Sequence, residues 1–297
     1  MTAENFGFLG DSDSDRQLPL LVKGTAPSSC RPFVKWVGGK GAIVDQLIEL
    51  LPHEYNRYFE PFVGGGAMFF AIRPKHAYLS DVNPELIASY KAVKNHVDEL
   101  IEDLKTHVYD KEYYYAIRDA DRSTDFENWS EIQRASRFIY LNKTCYNGLC
   151  RVNSRGEFNT PMGRYKDPTI VDEKNLRACN KALRRARIAR SPFSRVERLA
   201  ETGDFVYFDP PYVPLNPTSN FTAFSRQGFN QHMQQELRDL CVRLDKRGVM
   251  FMLSNSAAPV VRELYRGFRI REILVARPVN SRAGKRGKIA ELVVTNY

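Results

Sequence analysis

The sequence has few cysteines and histidines, and neither residue type is spaced as metal ligands or disulfide partners usually are. Its five cysteines are odd in number and form no C-x-x-C pair, so neither a disulfide framework nor a zinc site is expected. The five histidines are scattered along the chain. We therefore expect chemistry that needs no metal ion.

Long apolar runs are also missing. No run approaches the roughly 20 residues that a membrane-spanning helix needs. The first residues lack the basic flank and apolar core of a secretion signal. We therefore expect a soluble, cytoplasmic protein with no membrane attachment. A chain of 297 residues with 43% hydrophobic residues is long enough to bury a sizeable core.

Acidic residues are outnumbered, with 35 Asp and Glu against 44 Lys and Arg, and the net charge is +9. This excess favours a polyanionic partner. Residues 1–30 are polar and acidic, and we predict a disordered tail there. Basic side chains gather at 277–288, where interleaved glycines predict a loop that follows phosphates, and at 184–190. The second cluster fits a phosphate contact or the carboxyl end of a helix equally well.

The familiar phosphate-binding signatures are absent, although Gly64, Gly65 and Gly66 follow the strand-like run 57–59. No Lys-Ser/Thr follows them and no G-x-G-x-x-G register fits, so a phosphate is not the expected ligand. A further predicted strand, 77–80, ends at Asp81, about where nucleotide folds place an acid on ribose hydroxyls. Either feature alone is often a simple turn, but their spacing fits an adenosyl ligand.

The apolar run 205–208 leads directly into Asp209-Pro210-Pro211-Tyr212. A strand with this ending presents a carboxylate, a rigid carbonyl and a flat ring at the edge of a sheet. These groups suit a planar base whose exocyclic NH2 is held by two acceptors, and we predict adenine or cytosine as the target. In the alternative interpretation, the prolines only end the strand and Asp209 caps a turn.

Five separated blocks occur in one order along the chain. They are residues 33–40, 60–66, Asp81, 140–165 and 209–212. In this order they resemble the Dam-type DNA adenine-N6 methyltransferases, and the likeness runs from about residue 33 to the last residue. The resemblance implies S-adenosylmethionine as the methyl donor, double-stranded DNA as the partner and no metal, and it is compatible with a monomer located at the nucleoid.

The resemblance also assigns three groups of residues. The catalytic group is Asp209, Pro210, Pro211 and Tyr212. The methyl-donor pocket is formed by Trp36, Lys40, Gly64, Gly65, Gly66, Asp81 and Asp209. The DNA-binding group is Lys35, Tyr146, Asn147, Leu149, Arg151, Pro161 and Tyr165.

Within the DNA-binding group, Arg151 and Lys35 would meet guanines, the first through the bidentate contact that guanidinium makes with O6 and N7. Tyr146 would enter the gap left by a flipped adenine. These matches imply GATC as the site. Leu149 and Pro161 would contact the thymine methyl, and Asn147 and Tyr165 would contact the DNA backbone.

Strand-like and helix-like patterns alternate at both ends of the chain, which predicts an α/β fold with a Rossmann-like methyltransferase sheet. We assign 31–83 and 171–297 to the catalytic domain and 84–170 to an inserted, mainly helical DNA-recognition domain with a hairpin. Predicted helices cover 39–51, 84–104, 111–117, 132–141, 231–245 and 258–265. Predicted strands at 268–275 and 289–295 form a closing antiparallel pair.

Several alternatives remain at this point. A cytosine-N4 methyltransferase could use a similar acidic motif, whereas a glutamine methyltransferase normally resembles Asn-Pro-Pro-Tyr. From another class, the chain could be a sequence-specific DNA-binding protein without catalysis. The sequence is equally compatible with a solitary enzyme, a phage enzyme and a member of a restriction-modification pair.

Overall fold

The computed structural model describes residues 30–214, 229–276 and 288–297, whose strands form one seven-stranded sheet. The strands are β1 (Tyr58–Glu60), β2 (Ala77–Asp81), β3 (Ala186–Arg190), β4 (Phe205–Phe208), β5 (Met250–Ser256), β6 (Arg269–Ala276) and β7 (Lys288–Thr295). Their order in the sheet is β3-β2-β1-β4-β5-β7-β6. The first five are parallel, and β7 runs antiparallel to β5 and β6. The predicted α/β fold and its closing antiparallel pair are confirmed.

Helices cover both faces of the sheet. They are α1 (Val44–Ile48), α2 (Ala67–Ile72), α3 (Pro84–Asn95), α4 (Val97–Lys105), α5 (Lys111–Asp119), α6 (Glu131–Thr144), α7 (Glu173–Leu183), α8 (Val196–Leu199), α9 (Gln231–Lys246) and α10 (Pro259–Leu264). Local signals set their starts. The Asn83 side chain accepts the Leu86 N–H at the start of α3, with Pro84 in the first turn, and Ser130 and Gln133 form a capping box for α6.

The core lies on both faces of the central strands. All four residues of β4 are buried, and successive side chains of a strand point to opposite faces. Phe205 and Tyr207 therefore join the buried cluster that includes residues of α2, α3 and α7, whereas Val206 and Phe208 join the cluster with α9 and α10. This two-sided burial explains why the run 205–208 is continuously apolar.

A third, smaller cluster lies where α5 and α6 meet the segment that follows α6. Its buried members are Tyr114, Tyr140, Leu141, Cys145 and Phe158. The segment 145–165, which we call the recognition hairpin, folds back on itself through two antiparallel bridges, 145 with 162 and 152 with 158. The α3 helix shares a buried cluster with β1 and β2. The division of the chain into two domains at residues 83 and 171 stays a prediction.

Two sequence predictions of secondary structure were wrong, and one strand was missed. The predicted helix 39–51 is a 3-10 helix at Lys40–Ala42 followed by the short α1. The predicted helix 84–104 is two helices, because His96 (φ −138°, ψ 44°) leaves the helical conformation between α3 and α4. The strand β3 was not predicted, since its arginine-rich sequence lacks the apolar run of the other parallel strands. It lies at the edge of the sheet, where charged side chains reach solvent.

Two other predicted features fall mainly outside the described ranges: residues 1–29 of the predicted tail and residues 277–287 of the predicted basic loop. Among the described helices, none combines the length and the apolar character that crossing a bilayer requires. Within the described ranges, no three His, Cys, Asp or Glu side chains are grouped so that they could hold a metal ion.

Candidate active site and DNA-recognition hairpin

Three predicted motifs meet at the carboxyl edge of the sheet. The glycine cluster follows β1, Asp81 ends β2, and Asp209 follows β4. Because β1 is paired in parallel with β2 on one side and with β4 on the other, the three strand ends are adjacent. Open α/β sheets bind their ligands in this position, which makes the edge the candidate active site.

The glycine loop is packed between two aromatic side chains. Gly64 has a left-handed backbone (φ +46°), and a Cβ there would lie 2.5 Å from Cδ1 of Trp36. On the other side, the Tyr90 hydroxyl donates to the Gly64 carbonyl over 3.1 Å. Gly65 and Gly66 are buried as well. A side chain at Gly64 would therefore displace Trp36, the residue predicted to shape the methyl-donor pocket.

Asp81 is tied to the glycine loop through its carboxylate. One oxygen accepts the Gly64 N–H at 3.2 Å and the other accepts the Asn83 N–H at 3.0 Å. Burial raises the pKa of Asp81, while these backbone hydrogen bonds oppose the shift. The next residue, Val82, exposes 52% of its surface. An acceptor beside an exposed apolar side chain suits a ribose and its attached base.

Asp209 forms an ion pair with Lys40, 2.7 Å from Nζ to Oδ1. Only 5% of the Lys40 side chain and 20% of the Asp209 side chain are exposed, so water screens the pair weakly. Burial raises the pKa of Asp209, and Lys40 opposes that rise. The Lys40 ammonium also lies 4.6 Å from the centroid of the Tyr212 ring. Lys40, which the sequence assigned to the donor pocket, thus contacts the two main catalytic candidates.

The backbone of the candidate catalytic motif, 209–212, is held by side chains that the sequence interpretation missed. Gln234 donates to the Pro211 carbonyl over 3.0 Å, and Asn255 accepts the Val213 N–H at 3.1 Å. The Tyr212 hydroxyl donates to Glu291 over 2.7 Å. These partners come from α9, β5 and β7, far along the chain, and no local pattern marks them.

Glu60 is a second buried acid near the motif, and only 2% of its surface is exposed. It accepts a hydrogen bond from the Tyr58 hydroxyl at 2.7 Å. Burial raises the pKa of Glu60 to about 8, and the nearby Asp209 carboxylate adds to the rise. The sequence contained Glu60 in the glycine block without assigning it a role.

The recognition hairpin brings the predicted DNA-binding residues together at the end of α6. The Tyr146 side chain is 52% exposed at a tight turn, where Asn147 adopts a left-handed backbone (φ 55°). The Tyr146 N–H donates to the Pro161 carbonyl at 2.9 Å, so these two residues, which are distant in sequence, are neighbours. Leu149 is partly buried beside them.

Two basic side chains flank this turn. Arg151 is exposed, and its guanidinium donates to the side-chain and backbone oxygens of Asn159 at 2.7 and 3.2 Å. Lys35 is also exposed, and its Nζ lies 5.1 Å from the centroid of the Tyr165 ring, whose hydroxyl donates to the Cys145 carbonyl. Arg151 of the hairpin and Lys35 of the segment packed beside it therefore present two cations near the exposed ring of Tyr146.

Comparison with known proteins identifies the family of this chain. A type II methyltransferase of Lactococcus lactis subsp. cremoris is 44% identical over 271 residues, which cover 90% of this chain and 95% of that protein. A type II methyltransferase of Methanocaldococcus jannaschii is 44% identical over 287 residues, covering 90% and 99%. The DNA adenine methylase of Escherichia coli (strain K12) is 35% identical over 268 residues, covering 89% and 94%. Residues 36–277 match the D12 class of N6 adenine-specific DNA methyltransferases, and the chain belongs to this family.

Proposed function

We propose that this adenine-specific DNA methyltransferase transfers the methyl group of S-adenosylmethionine to N6 of an adenine in duplex GATC, after the base has flipped out of the helix. The observation that carries the proposal is the arrangement at the carboxyl end of β4. There Asp209 and Tyr212 follow β4, the glycine loop follows the adjacent strand β1, and Asp81 ends β2 on the other side of β1.

The residues at the sheet edge fit the methyl donor. When bound, S-adenosylmethionine supplies an electrophilic methyl group on a sulfonium, which is an excellent leaving group. When it is ionised, the Asp81 carboxylate accepts hydrogen bonds and donates none, which suits ribose hydroxyls. Trp36 and the glycines from 64 to 66 form the adjacent wall. We assign Lys40 to the same pocket and to the orientation of Asp209.

The chemistry at Asp209 follows from the target. The N6 lone pair of adenine is delocalised into the ring, which makes the nitrogen a poor nucleophile. If the Asp209 carboxylate and the Pro210 carbonyl each accept one N–H, a pyramidal nitrogen is favoured and its lone pair points towards the methyl group. Because Oδ1 already receives Lys40, we assign Oδ2 to the amine. When the N–CH3 bond forms, the S–CH3 bond breaks and neutral S-adenosylhomocysteine leaves, and the positively charged nitrogen releases one proton to Oδ2. Stacking on Tyr212 fixes the plane of the base, and alignment supplies most of the rate enhancement.

Base flipping is needed because N6 of a paired adenine lies inside the stack. We assign the exposed ring of Tyr146 to the gap that the adenine leaves. Arg151 would read a guanine, Lys35 the guanine before the target, and the Leu149–Pro161 corner a thymine methyl. Asn147 and Tyr165 would meet the DNA backbone.

This proposal assigns the chain two working parts. Residues 31–83 and 171–297 would carry the reaction, and 84–170 would recognise the target. The buried cluster around Tyr114 and Phe158 supports a recognition part with its own small core. Membership in the adenine-specific family sets the cytosine-N4 and non-catalytic alternatives aside.

The decisive experiment is methylation of a GATC duplex and its single-base variants, with methylated adenines located by sequencing. The wild-type protein should methylate GATC, whereas Asp209→Ala should abolish transfer and leave duplex binding within about threefold of wild type. Tyr212→Ala should lose most activity, and Tyr212→Phe, which keeps the ring, should retain much of it.

The matched control is Asp204→Ala. Asp204 is also a buried aspartate paired with a basic side chain, Arg57 at 2.6 Å, but it lies just before the other end of β4. The control should lower stability and keep turnover below its unfolding temperature. Turnover of Asp209→Ala within a few-fold of wild type would remove Asp209 from the reaction, and methylation of another sequence in place of GATC would overturn the assigned site.

A further inference from the structure

Two buried asparagines hold the segment that leads into Trp36. The Asn142 side chain of α6 accepts the Lys35 N–H at 2.7 Å and donates to the Lys35 carbonyl at 2.8 Å. The Asn175 side chain of α7 makes the same pair of hydrogen bonds with Arg31, at 2.9 and 3.0 Å. In both cases a side-chain amide pairs with the backbone as a neighbouring strand would.

Asn142 differs from Asn175 because it also contacts the recognition hairpin. Its Nδ2 lies 3.2 Å from the Gly148 carbonyl and 3.2 Å from the Cys150 sulfur. These two residues flank Leu149. The Asn142 side chain is completely buried. A single amide therefore joins the hairpin to the backbone of Lys35, and no water is available to replace a bond that is lost.

Packing reinforces this junction from the hairpin side. Gly148 has a left-handed backbone (φ +67°), and a Cβ there would lie 2.6 Å from Cδ of Lys35. The residue after Lys35 is Trp36, which packs directly on Gly64 of the glycine loop. A continuous path of contacts thus runs from the hairpin through Asn142, Lys35 and Trp36 to the glycine loop.

We propose that Asn142 is a positioning residue that couples recognition of the DNA target to binding of the methyl donor. This inference rests on the proposed function, which places DNA on the hairpin and the donor at the glycine loop. When cognate DNA fixes Gly148 and Cys150, Asn142 fixes the backbone of Lys35, and Trp36 is held in the donor-binding position. Coupling between two binding sites is reciprocal, so each ligand should strengthen the other by the same factor.

The test measures that factor by calorimetry, with S-adenosylhomocysteine as a donor-site probe that cannot transfer a methyl group. Its Kd is determined with and without a GATC duplex, and the duplex Kd with and without the probe. For the wild type we expect both ratios to agree at about fivefold or more. For Asn142→Ala they should fall to within about twofold of one, while the probe alone binds within about threefold of wild type.

Asn175→Ala is the matched control. It removes an equivalent pair of hydrogen bonds to the backbone of the same segment, at Arg31, without touching the hairpin. It should keep the wild-type ratio. If Asn142→Ala is unfolded at the assay temperature, Asn142→Asp decides the matter, because an ionised carboxylate there still accepts the Lys35 N–H but can donate to neither the Lys35 nor the Gly148 carbonyl. That variant should also lose the coupling.

Three results would overturn the inference: a wild-type ratio of one, an unchanged ratio in the folded Asn142 variants, or an equal loss in Asn175→Ala. Failure of the proposed function has a different signature, since the wild-type protein would then not methylate GATC whatever the ratio. If the wild-type protein methylates GATC and the Asn142 variants keep the wild-type coupling, only the proposed role of Asn142 is rejected.

Discussion

The Nζ atom of Lys40 lies 2.7 Å from Oδ1 of Asp209, so the proposed acceptor of the target amine already holds one cation. Neither partner is well hydrated, because the lysine is 5% exposed and the aspartate 20%. Two opposing effects therefore act on the pKa of Asp209. Burial raises it, and the Lys40 ammonium lowers it. The ammonium helps to keep Asp209 ionised, which is the form that accepts an N–H most strongly.

The first prediction is that Lys40→Met moves the acidic limb of the pH profile of kcat/KM to higher pH. Without the ammonium, burial acts on Asp209 unopposed and its pKa rises, so the carboxylate is lost at a higher pH than in the wild type. Lys94→Met is the control, because Lys94 donates to the Ala186 carbonyl at the far side of the sheet. An acidic limb at the same pH in Lys40→Met and wild type would show that Lys40 does not tune Asp209.

Glu60 gives a second prediction, on stability. Burial raises its pKa to about 8 in the folded chain, against roughly 4.3 for an unfolded glutamate. Between these values the folded state holds a proton that the unfolded state has released. The contribution of Glu60 to the free energy of unfolding is therefore largest at low pH and falls by about 1.4 kcal/mol per pH unit as the pH rises towards 8.

Glu60→Gln cannot titrate and still accepts the Tyr58 hydroxyl. The free energy of unfolding of Glu60→Gln should therefore gain on that of the wild type from pH 6 to about 8 and then level off. Urea unfolding of the ligand-free proteins measures it, with the surface variant Glu54→Gln as the control that shows no such trend. A constant difference between Glu60→Gln and wild type across this range would mean that Glu60 is ionised throughout.

The meeting of the glycine loop, Asp81 and Asp209 at one edge of the sheet could be predicted from sequence because its signals are local. The run 205–208 is apolar on both sides and ends at Asp209, and the glycines follow β1 directly. The ion pair of Lys40, the Glu291 partner of Tyr212 and the Asn142 junction could not be predicted. Each joins elements whose relative placement exists only once the sheet has formed.

The missed strand β3 shows a second limit. Its neighbour β2 pairs with it along five residues, yet its sequence contains two exposed arginines and only one large apolar side chain, Ile188. Hydrophobic periodicity detects a strand by its burial, and an edge strand that is open to solvent on one side carries little of that signal. Only the parallel pairing with β2 identifies it.

A third prediction separates the methyl donor from DNA. Asp81→Ala should weaken S-adenosylhomocysteine binding by on the order of 1.5 to 3 kcal/mol, the worth of a hydrogen bond to a charged group, without changing DNA affinity in the absence of the probe. Asn83→Ala is the control, since it removes the side-chain cap of α3 next to Asp81 and should cost only stability, about 1 kcal/mol. If calorimetry shows that Asp81→Ala binds the probe with unchanged affinity, Asp81 only stabilises the Gly64 loop and does not bind the donor.

The last prediction concerns sequence readout by Arg151. Its guanidinium is held by two oxygens of Asn159, so the side chain is already ordered and loses little conformational entropy when it binds DNA. If it contacts a guanine edge, Arg151→Ala should cost about 1 to 3 kcal/mol on GATC and reduce discrimination at one base pair only. Arg155→Ala is the matched control in the same hairpin, because Arg155 is 81% exposed near its tip.

A phosphate contact at Arg155, or at Lys285 outside the described ranges, would weaken every duplex equally and lower the salt slope by about one. Methylation rates on GATC and its single-base variants at two salt concentrations distinguish the two roles. If Arg151→Ala kept full discrimination at every position and lost affinity uniformly, Arg151 would be a phosphate contact. The guanine would then have to be read by another residue, and the GATC assignment would lose its main support.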